Sequence, residues 1–287
     1  MSSSIYLVGK HDICQLLAHF FNNSNKLPFL DVATNLDTYI NSNTPENTIS
    51  IVVIPKDYTR QLPAASQPQG RIVSCLMLDT IEQTKQWISS QQKQAQQTPK
   101  DISILAQWNP HYLKLGNLWL QTLQTKTPLK IQNWMADKVG KSRLLGYIDK
   151  GVHTSIYFGH GRQQKMVGYH GISAAEICQN KNYTVINCFL SFSCYHLQHD
   201  TEKSSFGEVL LKNNKVSAFW GSRLATDKIL NKKLALICLE QLVRTEDIRI
   251  DQWINRVAKI VEREHSPTLS LLWSSYSLLG NPFLPMR

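Results

Sequence analysis

The sequence predicts an α/β protein whose mostly parallel sheet is covered by helices on both faces. Short apolar runs alternate with amphipathic runs over almost the whole chain, which is the order of strands joined by crossover helices. The strand-like runs are apolar at successive positions, as is typical of strands buried on both faces. With 287 residues, the chain can bury the core of one large domain or two modest ones.

Six strands and three helices are predicted in the first half of the chain. The strand over Ile49–Ile54 is β-branched except for Ser50 and ends at Pro55. A second proline, Pro128, marks the break before the last strand of this half. The predicted strands are Ile5–Val8, Phe29–Val32, Ile49–Ile54, Arg71–Leu78, Ile102–Gln107 and Leu129–Trp134, and the predicted helices are Ile13–Phe21, Thr80–Gln97 and Leu113–Gln124.

The second half repeats this order of strands and helices. Leu278, Leu279 and Phe283 in the tail need burial, so we expect the tail to dock on the core. We place a smaller α/β subdomain at 1–125 and the main domain at 126–287, although the two halves could share one continuous sheet. The predicted elements are a helix over Lys141–Lys150, a strand that runs up to His160, a helix over Ser173–Gln179, a strand over Tyr183–Ser193, a helix over Phe206–Lys212, a strand over Val216–Trp220, and helices over Ile229–Arg244 and Asp251–Glu264.

The formal net charge of +10 is spread along the chain. The nearest approach to a cluster is Lys228, Lys232 and Lys233, and no long run of lysine or arginine occurs. We therefore expect a mildly basic surface and no dedicated nucleic-acid or membrane ligand. The N-terminal apolar stretch is too short for a signal peptide and no 18-residue apolar span occurs, so we expect a cytoplasmic protein without membrane attachment.

Six cysteines in a chain of this length do not make a disulfide scaffold, which fits a reducing compartment. Cys14, Cys75, Cys188 and Cys238 lie inside apolar runs, where buried free thiols are expected. The absence of a CxxC pair argues against structural zinc, and the sequence holds no glycine-rich phosphate motif and no Gly-x-Ser-x-Gly elbow. We expect neither a metal nor another cofactor.

One histidine and one cysteine stand where two predicted strands end. His160 follows an apolar run and lies between Gly159 and Gly161, and Cys194 follows a second apolar run just before the sequence turns polar. The carboxyl ends of neighbouring parallel strands face a common crevice, so these side chains can meet there. A thiol is a nucleophile at neutral pH when its neighbours favour the thiolate. The bare backbone at Gly161 also allows close approach and leaves an N–H for a developing oxyanion.

Alternative interpretations of these residues remain open at this stage. A Gly-His-Gly segment alone also fits a tight turn, and Cys188 is a rival nucleophile if its strand stops early. His170 fits a loop that lines a cleft or is solvated. His196, His199 and Asp200 offer a weak metal site, because one loop supplies three ligands and no fourth is evident.

Five segments of the second half carry a family resemblance through their order and spacing. They are Ile156–Gly161, Phe192–Tyr195, Phe206–Leu211, Ala218–Ser222 and Tyr276–Pro282. These segments resemble the caspase-fold cysteine peptidases of the gingipain-like and CHAT branches, with good coverage over 150–285 and poor coverage over 1–125. The resemblance implies a caspase-like, three-layer α/β/α catalytic domain with a smaller α/β subdomain beside it.

The resemblance also implies a function, namely a cysteine endopeptidase that hydrolyses peptide bonds in a protein substrate. His160 would be the general base or acid, and Cys194 the attacking thiolate. The backbone N–H groups of Gly161 and Cys194 would hold the oxyanion. The pocket for the side chain before the scissile bond would be bordered by Trp220, Gly221 and Ser222.

Phe192 departs from the pattern of some relatives. Metacaspase-like relatives carry an acidic residue two positions before the nucleophile, which selects lysine or arginine. A basic preference therefore does not carry over, although Asp200 or Glu202 could supply the acid. Phe192 and Asp200 stand as substrate-binding candidates on this ground. Asn281, where relatives often have Asp, lies in a turn that we interpret as structural.

Two alternative functions belong to other classes of protein. One is a catalytically silent caspase-like scaffold in a regulatory or defence complex, which the presence of both His160 and Cys194 disfavours. The other is a nucleic-acid-associated protein, which the lack of a basic stripe disfavours. Relatives are often inactive until a ligand, partner or cleavage orders the site, and several act in bacterial defence, so an activator is an expected partner. The sequence leaves the substrate, the preferred residue and the oligomeric state open.

Overall fold

The computed structural model describes residues 4–21, 25–28, 36–54, 58, 61–95, 101–179, 186–200, 202–244 and 248–286. Within these ranges, the first half of the chain forms seven strands and four helices. They are β1 (Ile5–Gly9), α1 (His11–Phe20), β2 (Asn25–Pro28), α2 (Leu36–Asn43), β3 (Ile49–Val53), β4 (Ser66–Gln67), β5 (Arg71–Leu76), α3 (Ile81–Ala95), β6 (Asp101–Ala106), α4 (Pro110–Lys126) and β7 (Lys130–Asn133).

The second half alternates strands and helices up to a closing strand. Its helix over Phe206–Lys212 has the predicted bounds. The elements are α5 (Lys141–Ile148), β8 (Val152–Phe158), β9 (Gly161–Arg162), β10 (Lys165–Met166), β11 (Ile172–Ser173), α6 (Ala174–Gln179), β12 (Ile186–Phe192), α7 (Phe206–Lys212), β13 (Val216–Ser222), α8 (Lys228–Val243), α9 (Ile250–Arg263), α10 (Pro267–Ser274) and β14 (Tyr276–Gly280).

Eleven of the strands form one central sheet in the order β2-β1-β3-β5-β14-β13-β12-β8-β6-β7, with β4 added on β5. Neighbouring strands are parallel except for the pairs β13–β14 and β4–β5. The prediction of a mostly parallel sheet is therefore confirmed. A separate small antiparallel sheet, β9-β10-β11, follows β8 directly.

The two halves of the chain share the central sheet. The tail strand β14 lies between β13 and β5, with Leu279 opposite Cys75, and the Ser74 hydroxyl donates to the Gly280 carbonyl across 2.6 Å. Leu279 is fully buried, so the tail is docked as expected. On the other side, β6 pairs with β8, which places a strand of the proposed N-terminal subdomain beside the His160 strand. The boundary near residue 125 stays a prediction.

Both faces of the sheet are buried, which explains why the strands are apolar at successive positions. Along β12, Cys188 and Leu190 belong to one buried cluster and Phe189 to the opposite one, since side chains alternate between the faces of a strand. Helices α1, α3, α4, α8, α9 and α10 cover the first face, and α2, α5, α6 and α7 cover the second. This arrangement is the predicted three-layer α/β/α architecture.

The structure adds elements that the sequence pattern did not predict. Helices α2 and α10 and the small sheet were not predicted, although Ser266 and Pro267 at the beginning of α10 are a usual helix start signal. The predicted strand Phe29–Val32 lies outside the described residues. In the described part of the chain, no helix combines the length and hydropathy needed to cross a bilayer.

Candidate active site

Two adjacent parallel strands bring His160 and Cys194 to the same edge of the sheet. Phe158, the last residue of β8, is the register partner of Phe192, the last residue of β12. His160 and Cys194 each follow two residues later, and all four residues line one open cleft of about 400 Å³, solvent at its mouth included. The structure therefore places His160 and Cys194 on the wall of one cleft, while their pairing as a dyad stays a prediction.

A side chain at Gly159 or at Gly161, on either side of His160, would collide with a different neighbour. A Cβ at Gly161 would overlap the carbonyl oxygen of Cys194 and lie 2.7 Å from the Ser193 hydroxyl, so the nucleophile loop packs directly on this backbone. A Cβ at Gly159 would overlap the Tyr157 hydroxyl. The close approach of backbones expected at Gly161 is therefore an approach of the Cys194 backbone.

His160 is held by elements that precede it by about fifty residues. Its backbone N–H donates to the Gln107 side chain across 2.8 Å, at the end of β6. Its exposed ring packs edge-on against Tyr112 of α4, with ring centres 5.3 Å apart. The Tyr112 hydroxyl lies 3.5 Å from the Nδ1 atom of His160, a long contact for a hydrogen bond. Because β6 pairs with β8, this wall of the cleft comes from the first half of the chain.

Cys194 is held from the opposite side by the loop after β13. The Thr226 backbone N–H donates to the Cys194 sulfur across 3.3 Å, and the Thr226 hydroxyl lies 3.4 Å from it. The next residue, Asp227, caps the N-terminus of α8. Tyr195, which has a positive φ of 60°, donates its N–H to the Leu224 carbonyl across 3.2 Å. The sulfur thus lies beside one N–H donor close to the beginning of α8, and its thiol also lies 3.9 Å from the Thr226 carbonyl oxygen.

A buried chain of hydroxyls and an imidazole supports the nucleophile loop from below. The hydroxyls of Ser193 and Ser191 lie 2.7 Å apart, and the Ser191 hydroxyl lies 2.7 Å from Nδ1 of His196. The other ring nitrogen of His196 lies 3.2 Å from the Lys165 carbonyl. Burial lowers the pKa of His196 to about 3, so the ring is neutral and its Nε2–H donates to Lys165.

His199 makes a second buried connection beyond this loop. It lies 2.5 Å from a carboxylate oxygen of Glu208 and 2.7 Å from the Tyr58 carbonyl. Burial alone would lower the pKa of His199, but the hydrogen bond and charge of Glu208 outweigh it and raise the pKa. Both ring nitrogens of His196 and of His199 are occupied by hydrogen bonds, so the metal site considered for this loop has no support here.

Four further candidates from the sequence are buried, namely Cys188, Trp220, Gly221 and Ser222. Cys188 is fully buried within β12, and burial raises the pKa of its thiol, so it is placed as a core cysteine. Trp220 and Ser222 are also fully buried, and Trp220 stacks on Tyr276 with ring centres 4.1 Å apart. Neither they nor the buried Gly221 between them line the cleft, and their contact with substrate stays a prediction.

Asp200 and His170 are exposed, and neither lines the cleft. Asp200 is exposed, and its carboxylate accepts the Glu202 backbone N–H across 3.0 Å. His170 is exposed with a positive φ of 61°, in the turn before β11. Of the substrate-binding candidates, Phe192 alone lines the cleft within the described part of the chain.

Sequence reasoning missed several residues that build this cleft. Gln107 carried a usable signal, because it is the polar residue at the carboxyl end of a predicted strand. Tyr112 and Thr226 carried none, since their roles depend on contacts between distant segments. Lys228 and Lys232 stood out as the nearest approach to a charge cluster, and both line the cleft. Burial lowers the pKa of His111 on the same wall, and these two lysines lower it further.

Comparison with known proteins places this fold in a family. The model of peptidase family C25 matches residues 58–287. Three similar solved structures are the Arg-specific cysteine proteinase gingipain R (TM-score 0.75, 12% identity, 99% of this chain and 78% of that chain covered), a complex of pro- and mature domains of RgpB from Porphyromonas gingivalis (0.74, 11%, 98% and 79%), and the Saccharomyces cerevisiae separase–securin complex (0.57, 11%, 86% and 16%).

These structural likenesses are too low in sequence identity to show more than a shared fold. No curated protein sequence matches the chain. The family match, in contrast, spans most of the chain and includes both His160 and Cys194. The chain belongs to peptidase family C25, and by that membership it is a cysteine protease with the caspase-like fold of gingipain R.

Proposed function

We propose that this protein hydrolyses peptide bonds in a protein substrate, with Cys194 as the nucleophile and His160 as the general base and acid. The observation that carries the proposal is the position of the two residues, each two positions beyond a register pair of β8 and β12 and both on the wall of one cleft. Membership in a cysteine peptidase family supports the same assignment. The complete burial of Cys188 disfavours it as the nucleophile.

The chemistry requires one proton to move between these two side chains. His160 takes the proton of the Cys194 thiol, and the thiolate attacks the substrate carbonyl carbon, whose oxygen becomes an oxyanion. His160 then gives the proton to the leaving amine as the C–N bond breaks, which leaves an acyl thioester on Cys194. A water molecule attacks the thioester after losing a proton to His160, and the acid product leaves as the Cys194 thiolate is regenerated.

The oxyanion would be held by the backbone N–H groups of Gly161 and Cys194. The Val167 N–H donates to the His160 carbonyl across 2.9 Å, which makes these two residues a hydrogen-bonded pair. In an antiparallel ladder the next pair, Gly161 and Met166, is then non-hydrogen-bonded. The Gly161 N–H is therefore directed away from β10, and this supports its assignment as an oxyanion donor.

The first experiment compares two cysteine variants on an unfolded labelled protein such as casein. Cys194→Ala should lose cleavage completely while keeping its circular dichroism and melting temperature. Cys178→Ala is the matched control, because this cysteine is also only half-buried but burial raises its pKa. Cleavage that persists in Cys194→Ala would overturn the assignment of the nucleophile.

A second measurement separates the peptidase from a silent scaffold. An iodoacetamide-type probe at pH 7 should label one cysteine rapidly in the wild type, and peptide mapping should find the label on Cys194. His160→Gln should slow this labelling. Slow, uniform labelling of all cysteines together with no cleavage would favour the scaffold instead.

We further propose that a partner protein controls access to the cleft and that the chain works in the cytoplasm. Two of the similar structures are described as complexes, one of pro- and mature domains and one of separase with securin. None of the six cysteines forms a disulfide in the described part of the chain, which suits a reducing compartment. Fractionation of cells and co-purification with Cys194→Ala as bait test both points. A role in bacterial defence and a closer tie to the CHAT branch belong to this same proposal.

A further inference from the structure

Two lysines on the wall of the cleft have no part in the chemistry proposed above. Lys228 and Lys232 lie four residues apart in the first turns of α8, so they share one face of the helix. Both are exposed and both line the cleft with His160 and Cys194. Neither makes an ion pair within the described part of the chain, whereas the adjacent Lys233 pairs with Glu264 across 2.5 Å.

Within the described residues, no nearby carboxylate forms an ion pair with these lysines. The described residues that line the cleft include no Asp and no Glu. The Asp227 carboxylate accepts the N–H groups of Ile229 and Leu230, each across 2.9 Å, at the beginning of α8. Asp200, the sequence-based candidate for selecting a basic substrate, accepts the Glu202 N–H instead. The charge that faces a bound substrate is therefore positive.

We propose that the cleft receives an acidic substrate side chain, Asp or Glu, next to the scissile bond, and that Lys228 and Lys232 select it. This specificity rests on the proposed function, because the cleft is where the bond would be cut. A carboxylate in the cleft meets two ammonium groups while apolar walls, Phe158 and Phe192, reduce screening by water. An arginine or lysine side chain meets like charges in the same space, so the preference of the Arg-specific gingipain R does not transfer to this chain.

The test is a peptide-library cleavage profile of the wild type and of Lys228→Glu/Lys232→Glu. The wild type should prefer Asp or Glu at a position flanking the cut by about tenfold or more in kcat/KM over Lys or Arg, and the double variant should reverse the preference. Lys85→Glu/Lys93→Glu is the charge-matched control, because it also exchanges two exposed lysines. Both lie on α3, where Gln94 accepts a hydrogen bond from Ser217 near the beginning of β13, at the opposite end of that strand from the cleft. This control should keep the wild-type profile.

The experiment distinguishes an error in the proposed acidic preference from an error in the peptidase assignment. Cleavage with a basic preference, or with no charge preference at both flanking positions, overturns the specificity while the peptidase assignment stands. If the wild type cleaves nothing, the specificity is tested by binding instead. Fluorescence anisotropy then measures the affinity of Cys194→Ala for matched acidic and basic peptides. Tighter binding of the acidic peptide, lost in the triple variant with both lysines changed, supports the specificity. Equal binding of the two peptides overturns it.

Discussion

The backbone N–H of Thr226 points at the sulfur of Cys194 across 3.3 Å, and these two residues are 32 positions apart in the chain. The contact joins the loop after β12 to the loop after β13, immediately before α8 begins. It places a hydrogen-bond donor, a hydroxyl and the N-terminal end of a helix around one sulfur atom. A thiolate is stabilised by each of these groups.

Replacement of Thr226 by valine should lower the reactivity of Cys194. Valine keeps the shape and the backbone N–H but removes the hydroxyl 3.4 Å from the sulfur. We expect alkylation at pH 7 to slow by about three- to tenfold, as fits the loss of one ordinary hydrogen bond worth roughly 0.5–1.5 kcal/mol. Thr268→Val, at an exposed position in α10, is the control and should alkylate at the wild-type rate. An unchanged rate in Thr226→Val would show that the hydroxyl has no influence on the thiolate.

Replacement of Gly161 by alanine should damage activity more than stability. The added methyl group would overlap the Cys194 carbonyl, so the nucleophile loop must move. Displacement of reacting groups by a fraction of an ångström to 1 Å costs roughly a hundredfold in rate, and kcat/KM is the quantity to measure. The control is Gly146→Ala within α5, where nothing lies within 4 Å of the added Cβ. There we expect an increase in the free energy of unfolding of up to about 1 kcal/mol. Full activity in Gly161→Ala would contradict the tight packing of these backbones.

The buried pair of His199 and Glu208 should make stability depend on pH. The pKa of His199 is raised in the folded state, because Glu208 outweighs burial. Its contribution is therefore fully present below the unfolded pKa of about 6.5 and is lost as pH rises through the folded value. His199→Gln should lower the free energy of unfolding by roughly 3–5 kcal/mol near pH 5.5, and this loss should shrink towards pH 9.

Urea unfolding of the wild type and His199→Gln from pH 5.5 to 9 measures this difference. His196 contributes with the opposite sign, because its pKa is lowered to about 3 and stability falls as the pH drops below about 6.5. That contribution is common to both proteins and cancels in the difference. A difference that is constant across the range would mean that His199 is not charged in the folded protein.

Trp220 should affect stability and leave specificity unchanged. Its indole is fully buried and stacks on Tyr276, and it packs edge-on against Trp253. Trp220→Phe should lower the free energy of unfolding by roughly 1–3 kcal/mol through lost packing, while the peptide-library profile stays that of the wild type. A changed profile with little loss of stability would instead place this residue in contact with substrate, as the family resemblance implied.

The strand-end residues were predictable because local signals are strong where a strand stops. The apolar runs before His160 and Cys194 end abruptly in polar residues, and parallel strands deliver such ends to one edge. Gly161 was identifiable because glycine marks close approach of another backbone. The bounds of α7 followed from its helical pattern, supported by the capping box of Ser205 and Glu208.

The cleft walls were not predictable because they depend on which strands become neighbours. Insertion of β14 between β13 and β5, and pairing of β6 with β8, are choices among many pairings with similar local patterns. Tyr112 reaches His160 across 48 positions as a result of the second choice. The orientation of Trp220 was not predictable for a related reason, since its strand could direct the indole to either face of the sheet.

The sequence by itself determined the alternation of strands and helices, the burial of both sheet faces, and the positions of His160, Gly161 and Cys194 at strand ends. Each of these features depends on neighbours within a few residues. The tertiary structure alone decided that Tyr112 and Gln107 hold the histidine, that Thr226 faces the sulfur and that two lysines charge the cleft. Those contacts join segments far apart in the chain, and they exist only once the sheet has fixed its strand order.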